Sequence, residues 1–193
     1  MRPNRSSLTI GTAWIAVFPI LVAVVLSLPC LGLGYFWDDY AFLTRVQSNP
    51  VAALGPEPGD FYRPLARVLY FWPLASLGSS GASIAHLFNL ILLAAAVYLL
   101  VSLTKDLAGP RAGIHAGLLF AALAPVPSLV AWASGSQDLL AIALSLATLH
   151  LRNSGRNLGA GIAAAAALLS KEAAAVMVPV LILWDWITGK RPP

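Results

Sequence analysis

The run IGTAWIAVFPILVAVVLSLPCLGLGYFWDDY, Ile10 to Tyr40, decides the fold class of this chain. From Ile10 to Tyr35 it carries no charged side chain. A helix needs about 20 such residues to cross the bilayer hydrocarbon, and this segment exceeds that. It is too long for a removable signal peptide, has no clear small-residue cleavage site and is followed by further apolar blocks. It therefore reads as a retained signal-anchor helix. It runs out into Phe36-Trp37-Asp38-Asp39-Tyr40, an acidic pair among aromatics at a membrane exit. Carboxylates are costly beside hydrocarbon, and those kept there usually have a task. Two solvated loop aspartates are the plainer alternative.

Composition agrees with the bilayer as solvent. Hydrophobic residues make up 59% of the chain and charged residues 10%, and the apolar ones come in blocks, not amphipathic stripes. The blocks after the first are Ser83–Thr104, Ala112–Leu123 continuing through a Pro-broken stretch to Trp132, Leu139–Leu151, Leu158–Leu169 and Ala173–Ile187. The last three are short for a full crossing and fit tilted or partly interfacial helices. The expectation is one all-α, polytopic domain over residues 1–193, with about six transmembrane helices. Four crossings with a re-entrant element is the second topology. Cys30 is the only cysteine, so no intrachain disulfide forms and the redox compartment is not legible.

Six crossings sort the charges. Arg2, Arg5, Lys105, Arg111, Arg152, Arg156, Lys190 and Arg191 all fall on one side, which the positive-inside rule makes cytoplasmic, with the N-terminus. Arg45, Arg63, Arg67 and Lys171 face the other side, as do Asp38, Asp39, Glu57, Asp60, Asp138 and Glu172. The basic balance thus reports topology. No basic–aromatic repeat points to nucleic acid. The Ala/Gly/Pro/Arg usage fits a bacterial cytoplasmic (inner) membrane.

Residues 37–81 form the one long non-spanning segment, expected as an extracytoplasmic loop carrying interfacial helices. It mixes the turn formers Asn49-Pro50, Gly55-Pro56 and Pro58-Gly59 with the cationic, aromatic stretch Phe61-Tyr62-Arg63-Pro64-Leu65-Ala66-Arg67-Val68-Leu69-Tyr70-Phe71-Trp72. On a helix, Arg63 and Arg67 share one face and the aromatics cover the other. Such a helix lies in the headgroup zone. A guanidinium fork there matches phosphate oxygens with two parallel hydrogen bonds. Generic headgroup anchoring explains the same pattern.

Two polar points interrupt later blocks. In Trp132-Ala133-Ser134-Gly135-Ser136-Gln137-Asp138, a carboxylate stands at a helix start, where Ser134, Ser136 or Asp138 would serve as cap. In Leu168-Leu169-Ser170-Lys171-Glu172, a charged pair between Ala-rich blocks needs a partner or an aqueous cavity. Adjacent residues do not face each other on a helix, so Lys171 and Glu172 either meet different partners or sit in a surface turn.

Taken in order, five motifs carry a resemblance: Phe36-Trp37-Asp38-Asp39, Tyr62-Arg63-Pro64-Leu65, His86-Leu87-Phe88-Asn89-Leu90, Val130-Ala131-Trp132 through Asp138-Leu139-Leu140-Ala141, and Leu169-Ser170-Lys171-Glu172. The chain resembles the N-terminal half of GT-C class polytopic glycosyltransferases, nearest the protein O-mannosyltransferase-like group that often carries tetratricopeptide repeats. The resemblance implies sugar transfer from a polyprenyl-phosphate donor to a hydroxyl acceptor at the lipid bilayer. It implies Asp38 or Asp39 as catalytic base or acceptor-orienting carboxylate, without saying which. It implies Arg63 as a contact of the donor phosphate, Asp138 as a second acidic site, and Lys171 with Glu172 beside it. Tyr62, Arg67 and His86 join them as substrate-binding candidates, although an interhelical hydrogen bond explains His86 and Asn89 equally well. Ser128 and Ser136-Gln137 replace an acidic and a basic residue common in the group, and no tetratricopeptide-like repeat is present. Members have roughly twice as many spans, and Gly189-Lys190-Arg191-Pro192-Pro193 reads as a cytoplasmic loop in mid-protein.

The residues suit that chemistry. A carboxylate takes the acceptor proton, while Arg63 and Lys171 stabilise charge on the leaving phosphate. Phe36, Trp37, Tyr40, Tyr62 and Trp132 offer a sugar or isoprenoid surface, or interfacial anchors. The resemblance implies an inverting single displacement. Magnesium or manganese on Asp38 and Asp39 fits hard-oxygen ligation, but no further ligand cluster joins them. No phosphate loop, His-Glu-x-x-His or nucleophile elbow occurs. The rival class is a non-catalytic polytopic scaffold or subunit retaining the fold. A transporter is a third, without an inverted repeat to support it.

Overall fold

The computed structural model describes residues 8–56, 61–78, 80–187 and 189. Arg2, Arg5, Glu57, Asp60, Lys190 and Arg191, to which the sequence assigns sides of a membrane, lie outside the described residues. Within them the chain is all-helical, with no strand.

Helix α1, Leu8–Ser27, stops short of the expected Tyr35. Pro29 has no N–H to continue the helix ladder, and the chain tightens into a 3-10 turn over Leu28–Gly32 before running extended. Helix α2, Asp38–Ser48, begins immediately after Trp37, whose φ of 44° is the only positive value at a described non-glycine residue. Asn49 caps the short α3, Pro50–Ala53, by accepting from the Ala52 amide, with Pro50 at the first position. A π-helical turn over Pro64–Leu69 and α4, Phe71–Ala75, complete this region.

The remaining apolar blocks are α5, Ser80–Ala108; α6, Pro110–Ala122; α7, Pro125–Ala131; α8, Ser136–Asn153; α9, Asn157–Ser170; and α10, Met177–Ile187. Prolines at 110 and 125 set two of the starts. The first apolar segment and α5 are long and apolar enough to cross a membrane, and α6 with α7, bent by 62°, supplies a third crossing if the pair counts as one span. Helices α8, α9 and α10 run alternately up and down. Lys171 meets Asp138 at one end of this group, and Arg152 grips Asp185 with two hydrogen bonds of 3.0 and 2.7 Å at the other.

Two large apolar cores and two smaller clusters, around Leu103, Leu149 and Met177 and around Ala141, Ala167 and Ala174, hold the described residues together. In the first, Ala16 and Ala23 of α1 pack with Leu93, Val97 and Val101 of α5, Val130 of α7 and Leu139 of α8. Small residues let backbones approach in such bundles. A Cβ on Gly117 of α6 would lie 2.5 Å from Val101 and 2.8 Å from Pro19. The second core packs residues 38–56 and 61–78 as a helical cap: Phe42, Leu43, Val46, Val68, Phe71 and Leu74 gather against Ala85 of α5.

Candidate functional site

The cap and the start of α8 are joined through polar side chains. His86 and Asn89, one turn apart on α5, are both fully buried. The His86 ring nitrogens lie 2.8 Å from the Val130 carbonyl and 3.1 Å from that of Leu33. The Asn89 amide donates to the carbonyls of Leu129, Trp132 and Ala133, and its oxygen accepts from the Tyr70 hydroxyl at 3.0 Å. The end of α7 and the break before α8 leave carbonyls without intrahelical partners. These two side chains serve them. His86, expected as a substrate contact, therefore has neither exposure nor a free nitrogen for that part. Burial, reinforced by Asp39 and Tyr35, pushes the Tyr70 hydroxyl far above the ordinary tyrosine range, keeping it a donor.

The two adjacent aspartates separate completely. Asp39 is 0% exposed. One carboxylate oxygen accepts from the Phe36 amide at 2.9 Å; the other accepts from the Ser134 amide at 2.8 Å and from the Ser134 hydroxyl. A carboxylate bound by three donors inside the protein is a structural tie, so of the two base candidates Asp39 is withdrawn from chemistry. Asp38 is exposed at the first turn of α2. It shares a helix face with Phe42, four residues on. The pair does not converge on a metal position, and among the described residues no three His, Cys, Asp or Glu side chains group to hold one.

Beside that face the cationic candidates come together. The Arg67 guanidinium lies over the Phe42 ring at 4.7 Å and that of Arg63 over Phe61 at 4.7 Å. Gln137, buried at the start of α8, accepts from Arg63 at 2.6 Å and from Arg67 at 3.2 Å through one oxygen. Arg63 also forms a two-pronged pair with Glu172, Nε to Oε2 at 2.7 Å and Nη2 to Oε1 at 2.5 Å. The hydrogen bonds from Arg63 hold the Glu172 carboxyl below the usual glutamate range. Lys171 turns the other way and places Nζ 2.5 Å from Asp138 Oδ1. Different partners, not a mere surface turn, account for this adjacent pair. Asp138 lies in the first turn of α8, but no side chain caps that helix; Ser134, expected as a cap, is committed to Asp39 instead. Tyr62 stands exposed beside a small cleft shared with Arg45, Arg63 and Arg67.

Five sequence-expected residues, Arg63, Arg67, Asp138, Lys171 and Glu172, thus fall into two neighbouring polar groups, the arginines on Gln137 with Glu172, and Lys171 on Asp138. Gln137 and Ser134 were not singled out for these parts. Their position beside Asp138 in an otherwise apolar block was the available signal. Asp138 and Lys171 also stand on the wall of an open apolar groove lined by Leu100, Phe120, Ile142 and Leu146 among others.

Comparison with protein-family models, curated proteins and solved structures finds no match for this chain. The geometry of the cluster carries the functional reading alone.

A second open groove runs between Leu33–Phe36 and Ser128–Trp132. Phe36 stacks on Trp37 at 5.7 Å and meets Trp132 edge-on at 6.5 Å. Trp37, 74% exposed, is held outward by its positive φ. Backbone strain of that kind, about 1–3 kcal/mol, persists only where surrounding contacts impose it; the hydrogen bond from Phe36 to Asp39 does so here.

Proposed function

We propose that this chain serves a membrane glycosyltransferase activity that moves a sugar from a polyprenyl-phosphate donor to a hydroxyl acceptor on the extracytoplasmic face. The observation that carries the reading is the joining of Arg63 and Arg67 through Gln137, with Glu172 on Arg63, next to a Lys171–Asp138 pair on the wall of an apolar groove. An isoprenoid tail suits the groove, and the cations suit its phosphate. Asp38 takes the acceptor hydroxyl proton as the oxygen bonds to the anomeric carbon. The bond from that carbon to the phosphate oxygen breaks on the opposite face, with inversion. The electron pair leaves on the phosphate, whose new charge falls beside Arg63 and Lys171. Asp39 positions Asp38 by fixing the first turn of α2.

The accompanying topology is six crossings, N-terminus cytoplasmic, in a bacterial inner membrane, with the 37–81 cap on the outer face.

The test uses the full chain in lipid nanodiscs with a radiolabelled polyprenyl-phosphate mannose and a hydroxyl acceptor. Transfer that Asp38→Asn abolishes while donor binding persists supports the enzyme. A second reading, a non-catalytic scaffold, is favoured by the ion pairing of Arg63 and Lys171, which a purely structural clasp would also need. Absence of transfer with unaltered donor-independent assembly selects it.

A further inference from the structure

Glu172 occupies the fork of Arg63 that the proposed donor phosphate would need. Two guanidinium nitrogens are spent on it and the third on Gln137. The two members of the pair are unequally held. The Arg63 side chain is 11% exposed and sits against Phe61 and Gln137, whereas that of Glu172 is 48% exposed. The carboxylate can swing into water; the guanidinium cannot leave. Glu172 also opens a 3-10 turn, Glu172–Val176, so its displacement asks for no break within a long helix.

We propose that Glu172 is a built-in counter-ion that makes Arg63 selective for a phosphate bearing two negative charges over one bearing a single charge. The proposal rests on the donor-site reading above. A tethered carboxylate competes at an effective concentration on the order of millimolar. A singly charged phosphodiester offers Arg63 the same charge as the carboxylate it must displace, so the exchange gains little. A phosphate dianion brings a second charge and a third oxygen, with Lys171 the adjacent residue. In the proposed transfer the donor is a singly charged diester and the lipid product a dianion. Glu172 would thus yield as charge grows on the phosphate, and Arg63 would engage most strongly late in bond cleavage.

The test measures binding of phosphatidic acid and phosphatidylglycerol to the full chain in phosphatidylcholine nanodiscs, at about pH 9, above the second phosphate pKa. The wild type is expected to favour the dianionic phosphatidic acid by about tenfold, the scale of one charge-assisted hydrogen bond. Glu172→Gln should strengthen phosphatidylglycerol binding and shrink that ratio severalfold, while Glu172→Asp, which keeps the charge, should preserve it. A ratio unchanged in Glu172→Gln, or both lipids bound more weakly, overturns the counter-ion role. Arg63→Ala separates the two levels: if it binds phosphatidic acid as well as the wild type does, the donor-site reading itself fails. Inorganic phosphate in a parallel titration distinguishes a soluble dianion from a lipid headgroup. Competition with phosphatidic acid that is lost in Arg63→Ala assigns the same screened site to free phosphate as well.

Discussion

Asp39 accepts hydrogen bonds from both the backbone amide and the hydroxyl of Ser134, 95 residues away, and so fastens the first turn of α2 to the turn that opens α8. Its neighbour Asp38 has no such tie and stands exposed. The two substitutions should therefore separate stability from activity. Asp39→Ala strands two buried donors of Ser134, at about 1–3 kcal/mol each, and a partly buried amide of Phe36. Asp38→Asn should leave unfolding within about 0.5 kcal/mol, as surface changes do. Thermal unfolding of both variants in detergent checks this; equal losses would refute the division of labour.

The carbonyls around the α7–α8 break depend on two side chains of α5. Replacing Asn89 with Ala leaves three carbonyls without this donor, and replacing His86 with Ala removes the ring whose single N–H donates to one of the Val130 and Leu33 carbonyls. Each substitution should destabilise by about 1–3 kcal/mol or more, the cost of unsatisfied buried polar groups. Hydrogen exchange should show faster opening of residues 128–135 in both. Faster exchange spread evenly over the bundle would count against a local role.

Acid should release the Arg63–Glu172 pair. The folded Glu172 carboxyl lies below its ordinary range because Arg63 hydrogen-bonds its charged form. A depressed carboxylate contributes stability above its unfolded pKa and loses it as pH falls through the folded value. The wild type should therefore exceed Glu172→Gln in melting temperature at neutral pH, with the gap closing under acid. Since Glu172 is half exposed, solvent screening keeps the gap small. A gap that widened on acidification would contradict the pairing.

Gly135 cannot accept a side chain. A Cβ there would lie 2.2 Å from the Leu129 carbonyl oxygen, a backbone atom that cannot rotate away. Gly135→Ala should cost about 1–3 kcal/mol, the usual penalty of overpacking. Gly161 in α9 is the control, because a Cβ there meets nothing within 4 Å. Gly161→Ala should be neutral or stabilising by about 0.5–1 kcal/mol through helix propensity. Comparable losses at both positions would show that the contact at Leu129 does not decide the effect.

The order of elements could be read directly from the chain. Apolar blocks marked where helices run, and a Pro-broken stretch before Trp132 marked one interruption, because proline acts on its own turn of backbone; the stop of α1 before Pro29 was not read from the sequence. The shared face of Arg63 and Arg67 was equally legible, since helical spacing is local. What the sequence left open was whom each charge meets. It offered Asp38 and Asp39 as equals, and His86 as a ligand contact. It gave no partner for Lys171 or Glu172, and only the neighbourhood of Asp138 pointed to Gln137.

Tertiary packing decided those points by bringing the π-turn, the start of α8 and the end of α9 to one place. Arg63 reaches Glu172 across 109 residues, and Asp39 enters the interior while Asp38 does not. Hydropathy and helical period depend on neighbours within a turn or two, so the sequence by itself determined an all-helical, largely apolar protein. Burial and ion pairing depend on which helix lies alongside, so only the folded structure could distinguish the two aspartates and pair the cations.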